Sequence, residues 1–203
     1  DNAMAYVRVA SGYQPGGPNL AIAGVPPTFK SDTLTNYEAG VKSQFFDDRV
    51  LLDADVFYIS WDNIQLLSGG SGFSFGANGG TAKSEGFEAN ASIRPIDGLS
   101  IDGTFSYVDA VLTEDVPILS GLKGDWLPNI PRYSGSLRAT YTYPLSGDWA
   151  VDFGAGLRMV GKRYSDVNHA PDSRSIPGYS ALDLNIGVSN DRYTLRLFAK
   201  NAT

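Results

Sequence analysis

Few residues of this chain could do chemistry. His169 is the only histidine, with Asp166 and Asp172 three positions away on either side. An imidazole and two carboxylates in one loop make a donor set that a divalent ion accepts. The run Ser165-Asp166-Val167-Asn168-His169-Ala170-Pro171-Asp172 also has the composition of an ordinary polar surface loop, and that reading is preferred. A serine hydrolase would have to draw its base from this one loop histidine, and no nucleophile elbow is present to set a serine beside it. Asp53 and Asp55 fall on one face of a strand. A general acid–base pair and a pair of solvated charges are both open there, the second favoured. The glycine-rich Ser68–Gly76 run lacks the Gly-Lys-Ser/Thr of a phosphate loop, and no helix follows it, so it reads as a loop. Asn90-Ala91-Ser92 and Asn201-Ala202-Thr203 match a glycosylation pattern, but the first lies inside a strand and both are discounted. There is no cysteine, which excludes disulfides, thiol nucleophiles, zinc–thiolate sites and iron–sulfur clusters. No catalytic residue, resident metal or cofactor is assigned, and the expectation is a protein that is not an enzyme.

What remains is binding, and the elements that would position it are strands. Of the 203 residues 42% are hydrophobic and 19% charged, too apolar for a disordered segment. The 11 Tyr, 10 Phe and 3 Trp favour strands. With 22 acidic against 16 basic residues and a net charge of −6, the chain lacks the basic surface that nucleic acid requires. No apolar run approaches the roughly 20 residues of a membrane-spanning helix, which leaves a closed barrel as the one way to cross a bilayer.

Hydrophobicity alternates with period two. Tyr133, Gly135, Leu137, Ala139, Tyr141 and Tyr143 oppose Ser134, Ser136, Arg138, Thr140 and Thr142; Trp149, Val151, Phe153, Ala155, Leu157 and Met159 oppose Asp152, Gly154, Gly156 and Arg158. Successive strand side chains point to opposite faces, so these are two-faced strands. Nine are expected, near 4–12, 34–46, 49–62, 82–94, 99–110, 133–144, 148–161, 179–189 and 192–201. Several reach about ten residues, long for a soluble sheet and suited to a tilted membrane strand.

The connections alternate. Asp47-Asp48, Pro95-Ile96-Asp97-Gly98, Leu145-Ser146-Gly147 and Asn190-Asp191 are short turns with the residues that tight turns require. Tyr13 to Thr33, Leu67 to Thr81, Val111 to Arg132 and Gly161 to Gly178 are long. Short turns at one end and long loops at the other describe an up-and-down transmembrane barrel, the first strand running outward. One face of the strands is apolar. The other carries Glu38, Lys42, Asp53, Asp55, Glu88, Arg94, Asp102, Arg138, Asp152, Arg158, Asp183 and Arg196, too many charges for a dry core, so that face meets water. Tyr107, Tyr143, Trp149 and Tyr193 suit aromatic girdles, or simply follow strand propensity. The long loops are where such a protein holds a ligand, and Tyr13, Gln14, Asn19, Trp126, Tyr164 and His169 are the candidates. Packing within the loop is the plainer role for each.

Several segments, in order, resemble the barrel of TonB-dependent outer-membrane receptors. Tyr13-Gln14-Pro15-Gly16-Gly17 is similar to the family's aromatic-x-Pro-Gly-Gly strand end, and Tyr37-Glu38-Ala39-Gly40-Val41-Lys42 to its Tyr-Glu-x-Gly-x-Lys strand. Trp61-Asp62-Asn63-Ile64-Gln65 resembles its Trp-x-x-Ile-Gln loop, and Ser84-Glu85-Gly86-Phe87-Glu88 its Ser-x-Gly-aliphatic-Glu strand with Phe at the aliphatic place. Leu127-Pro128-Asn129-Ile130-Pro131-Arg132, Ile176-Pro177-Gly178-Tyr179 and Lys200-Asn201-Ala202-Thr203 follow, the last with Ala where Leu is usual. The resemblance implies that residues 1–203 are one partial barrel domain, a fragment of a barrel of about 22 strands that lacks the plug and the final strand. It further implies TonB-energised uptake of a scarce solute, a ferric siderophore or another organic nutrient, across the bacterial outer membrane. The implied partners are the TonB complex through the absent plug, outer-membrane lipid, and a small-molecule or metal-chelate ligand. Two alternatives stand beside it: a passive porin-like channel, and a soluble β-rich binding domain.

Overall fold

A computed structural model of the chain describes residues 2–68 and 75–203; the part of the glycine-rich run between 69 and 74 lies outside the described residues. Nine strands form one antiparallel sheet in chain order: β1 (Asn2–Gln14), β2 (Asp32–Phe45), β3 (Val50–Asp62), β4 (Thr81–Ile93), β5 (Leu99–Leu112), β6 (Tyr133–Pro144), β7 (Ala150–Val160), β8 (Tyr179–Ser189) and β9 (Thr194–Ala199). Every expected strand is present, its ends within two residues of those read from the alternation. Among the described residues no helix is long and apolar enough to cross a membrane, which says nothing against crossing with strands.

The turns work for identifiable reasons. Phe46, Asp47 and Asp48 all have positive φ, a conformation the short polar Asp side chain tolerates. Between β4 and β5, Gly98 sits at φ +80°, and a Cβ there would lie 2.4 Å from the Thr142 carbonyl oxygen. Asn190 closes the last turn: its Oδ1 accepts from the backbone N–H groups of Arg192 (3.0 Å) and Tyr193 (2.7 Å).

The ladders run without slips, so face assignments carry from strand to strand. Tyr37 pairs with Tyr58, Phe87 with Tyr107, and Tyr107 with Tyr133. The rings of Tyr37 and Tyr58 lie 6.5 Å apart and those of Phe87 and Tyr107 6.1 Å. These aromatics cap the apolar face toward the long loops. Tyr141, Tyr143 and Trp149 flank the same face near the short turns, where Tyr143, Trp149 and Tyr193 are exposed. On β5 the apolar side runs from Leu99 to Tyr107 before Asp109 breaks it, about the nine to eleven residues of a tilted membrane strand.

The buried core lies away from the sheet's centre. Ile64, Ala77, Val116, Leu119, Leu127 and Val167 from the long connections close on Ala82 of β4 and Ala110 and Leu112 of β5. In register Ala82, Ala110 and Leu112 share the face of Glu88 and Asp102. The charged face therefore turns apolar at its loop end, and three loops fold inward over it. Short pieces brace this canopy: two-residue ladders of Gly17–Pro18 with Thr28–Phe29 and of Arg163–Tyr164 with Ser175–Ile176, a hairpin of Gln65–Ser68 with Phe75–Asn78, and a 3₁₀ turn at Pro117–Leu119.

Candidate functional site

Two sites emerge: the canopy, and the charged face beneath it. In the canopy, residues 125–127 extend β5 as a short antiparallel stretch. Leu112 N–H donates to the Asp125 carbonyl, Leu127 N–H to the Ala110 carbonyl, and Val111 pairs with Trp126. Pairing puts Trp126 on the side of Val111 and Asp109, the outward face, and Asp125 and Leu127 on the inward one. Asp125 is buried and fully engaged: one carboxylate oxygen meets His169 Nδ1, and the other accepts from the Leu122 N–H at 2.9 Å. Asn168 Oδ1 accepts from the Trp126 N–H at 2.6 Å. Trp126 packs edge-on against Tyr164 with centroids 5.5 Å apart. The Arg132 guanidinium lies 4.1 Å over the indole and bonds Asp109 at 2.8 Å, while Lys162 Nζ lies 4.7 Å over the Tyr164 ring. Cation–π contacts of this kind contribute about 0.5–2 kcal/mol each.

Of the six loop candidates the structure brings three together: Trp126, Tyr164 and His169. Tyr13, Gln14 and Asn19 stand apart on the first long loop. Tyr13 is exposed at the end of β1. The Gln14 backbone N–H donates to Asp32 Oδ1 (3.0 Å) and its carbonyl accepts from Gln65 Nε2 (3.1 Å). Asn19 is a bracket: its Nδ2 donates to the carbonyls of Pro26 (3.0 Å) and Gly76 (2.8 Å), and its Oδ1 accepts from the Gly76 N–H (2.9 Å). The histidine's carboxylate partner is Asp125, 44 positions away, and not the flanking Asp166 or Asp172. Asp166 Oδ1 instead accepts from the Val167 N–H. Sequence spacing missed Asp125 and Arg132, and with them the buried Asp32, which ties Gln14 to Gln65.

The charged face divides in two. On β1 and β2 the basic residues of this face meet carboxylates across the ladder. Arg8 lies 3.9 Å from Glu38, and Lys42 2.8 Å from Asp53; Glu38 also accepts from the Tyr6 hydroxyl at 2.8 Å. Tyr6 crosses its partner Gly40, where a Cβ would lie 2.6 Å from the ring. Asp53 and Asp55 do share this face, Asp53 engaged by Lys42 and Asp55 placed opposite Glu88. On β6–β9 Arg138, Arg158 and Arg196 share the face with Asp152 and Asp183. Two adjoining concavities, of about 380 and 400 Å³, run along it and share Arg138, Gly156 and Asp183.

Comparison with known proteins gives a consistent result. The family profile described as TonB dependent receptor-like, beta-barrel matches residues 1–202. The metal-pseudopaline receptor CntO of Pseudomonas aeruginosa is 28% identical over 179 residues, 88% of this chain and 24% of that protein. The pesticin receptor of Yersinia pestis is 28% identical over 209 residues, 99% of this chain and 29% of the receptor. Among solved structures, the ferric yersiniabactin uptake receptor FyuA from Yersinia pestis superposes with a TM-score of 0.81 at 25% identity, covering 100% of this chain and 30% of that one. The chain thus spans about a quarter to a third of the relatives it matches.

Proposed function

The chain belongs to the TonB-dependent receptor-like β-barrel family, and from that premise we propose that the whole protein imports a scarce solute across the outer membrane with energy delivered by TonB. The cargo class is a ferric siderophore or a related metal chelate, as the names of the relatives suggest for those proteins. The chain itself is nine antiparallel strands of an outer-membrane barrel. The observation that best supports uptake is the two-faced sheet with its long loops gathered at one end and folded into a packed canopy over the charged face. Such an arrangement selects at the mouth and conducts through a wet interior.

In this reading His169 meets the cargo at the mouth, with Tyr13 and Gln14 contributing from the first loop, while Trp126 and Tyr164 brace the canopy from its outward side. Asn19 holds that loop to the Gly76 hairpin. The apolar face meets outer-membrane lipid, and TonB is engaged through a plug segment of the parent protein. No bond of the cargo is made or broken, so the protein acts as a receptor and not as an enzyme.

The test is radioiron uptake by cells making the full-length protein, offered a panel of ferric chelates with and without TonB. The expected outcome is uptake of at least one chelate that stops when TonB is deleted. Equal uptake in both strains would overturn the energised reading in favour of a passive channel.

A further inference from the structure

Two asparagines clamp the first long loop to the hairpin of Gln65–Ser68 with Phe75–Asn78, each by pairing its side-chain amide with the backbone of the other segment. Asn19 pairs with the N–H and carbonyl of Gly76. Asn78 answers from the hairpin: its Oδ1 accepts from the Lys30 N–H (2.7 Å) and its Nδ2 donates to the Lys30 carbonyl (3.0 Å). The same Nδ2 donates to the Asn63 carbonyl at 2.8 Å. This set needs a group that donates twice and accepts once, and a neutral amide does so where a carboxylate does not.

Asn78 is followed by Gly79, and no other asparagine of the chain precedes a glycine. Glycine has no Cβ to shield its backbone nitrogen or to restrict the rotation that brings it onto the preceding side chain, so this dipeptide is the one most prone to cyclise. The Gly79 nitrogen, giving its proton to base, attacks Asn78 Cγ. A C–N bond forms there, the bond to Nδ2 breaks, and ammonia leaves. Water then opens the cyclic imide at either carbonyl to give aspartate or isoaspartate, with no change of oxidation state. The fold holds this step off at both reacting groups. The Asn78 amide is fully hydrogen-bonded, and the buried Gly79 donates its N–H to the Ile64 carbonyl at 2.6 Å.

We propose that Asn78 is a covalent modification site, shut while the hairpin is closed, at which imide formation and hydrolysis release the first long loop from the canopy. The carboxylate that replaces the amide keeps an acceptor for the Lys30 N–H. Its second oxygen then faces the carbonyls of Lys30 and Asn63, so two hydrogen bonds become two repulsive contacts. Isoaspartate goes further, because its extra backbone carbon breaks the register of Asn78 with Gln65. Either product leaves the loop with one of its two amide clamps. The chemistry does not depend on what the receptor carries or on how its uptake is energised.

The test incubates the purified full-length receptor in mildly alkaline buffer, folded in detergent or unfolded in guanidinium, and follows conversion of amide to acid at Asn78 by peptide mass spectrometry. The expected rate is about tenfold or more lower in the folded receptor than in the unfolded chain. In the folded Asn19→Ala variant, which removes the other clamp and leaves Asn78 and Gly79 in place, it should rise at least about threefold over the wild type. Equal rates in the folded and unfolded wild type, or no effect of Asn19→Ala, overturn the proposal. Retention of the heat-modifiable barrel band shows that Asn19→Ala is folded. Asn78→Asp makes one product directly and tests the release without it. Residues 15–31 should then exchange their amide hydrogens faster than in the wild type, with β1 and β2 unchanged; unaltered exchange in 15–31, or faster exchange throughout β1 and β2, overturns the release.

Discussion

Asp125 shows how much of the canopy hangs on single side chains. It is buried, with one oxygen on His169 and the other on the Leu122 N–H, and its backbone carbonyl continues the ladder to Leu112. Asp125→Ala removes both side-chain contacts, a loss of about 0.5–1.5 kcal/mol for each hydrogen bond. The expected outcome in the full-length receptor is faster hydrogen exchange in residues 113–131 and 165–173, with β4 to β7 unchanged. Faster exchange throughout the strands would mean that Asp125 supports the barrel and not the canopy. This residue also marks where local spacing misleads. His169 has acids three positions away on both sides, yet its partner comes from another loop, and no short-range pattern encodes a contact between two connections. Trp126 and Tyr164 were legible as members of the long loops, where such a protein holds a ligand, whereas Arg132 stayed hidden because a lone arginine at a strand end resembles any solvated charge.

At the level of elements, the sheet was readable and the canopy was not. β6 and β7 alternate without a break because one face meets lipid and the other meets water, and that contrast writes itself into every second residue. The run Val108-Asp109-Ala110-Val111-Leu112 loses the contrast. There the inward face packs under loops, so both sides carry apolar residues and the strand extends two positions past its expected end. Two-residue ladders such as Gly17–Pro18 with Thr28–Phe29 are too short to have a period at all. The canopy's own core gives a prediction at this scale. Val167 is completely buried against the inward cluster, and Val167→Asp would place an unpaired charge there, destabilising the loop packing by several kcal/mol. Limited proteolysis of the full-length receptor should then cut the loops while the heat-modifiable band persists. Loss of the band with the loops would show that canopy and strands fold as one unit.

For the whole molecule the decisive property is the difference between its two surfaces. Leu137 lies mid-way along β6, exposed on the apolar face, and Asn90 lies exposed on the charged face opposite Asp53. Arginine at position 137 should cost about 2–4 kcal/mol of stability in lipid vesicles, as charge at the bilayer midplane does in other barrels, whereas arginine at position 90 should cost near zero. Measured by urea-dependent folding of the full-length protein into vesicles, equal costs at both sites would refute the assignment of faces. The inward core has a further consequence for recombination between related receptors. Ile64 and Ala77, Val116 to Leu127, and Val167 come from three separate connections yet fill one space. A chimera that inherits one of these loops alone receives a plug of side chains cut for a different hole. Useful exchange of recognition surfaces has to move residues 63–80, 113–131 and 165–174 as a single cassette, so new specificities in this lineage should arise by block transfer more readily than by loop-by-loop drift.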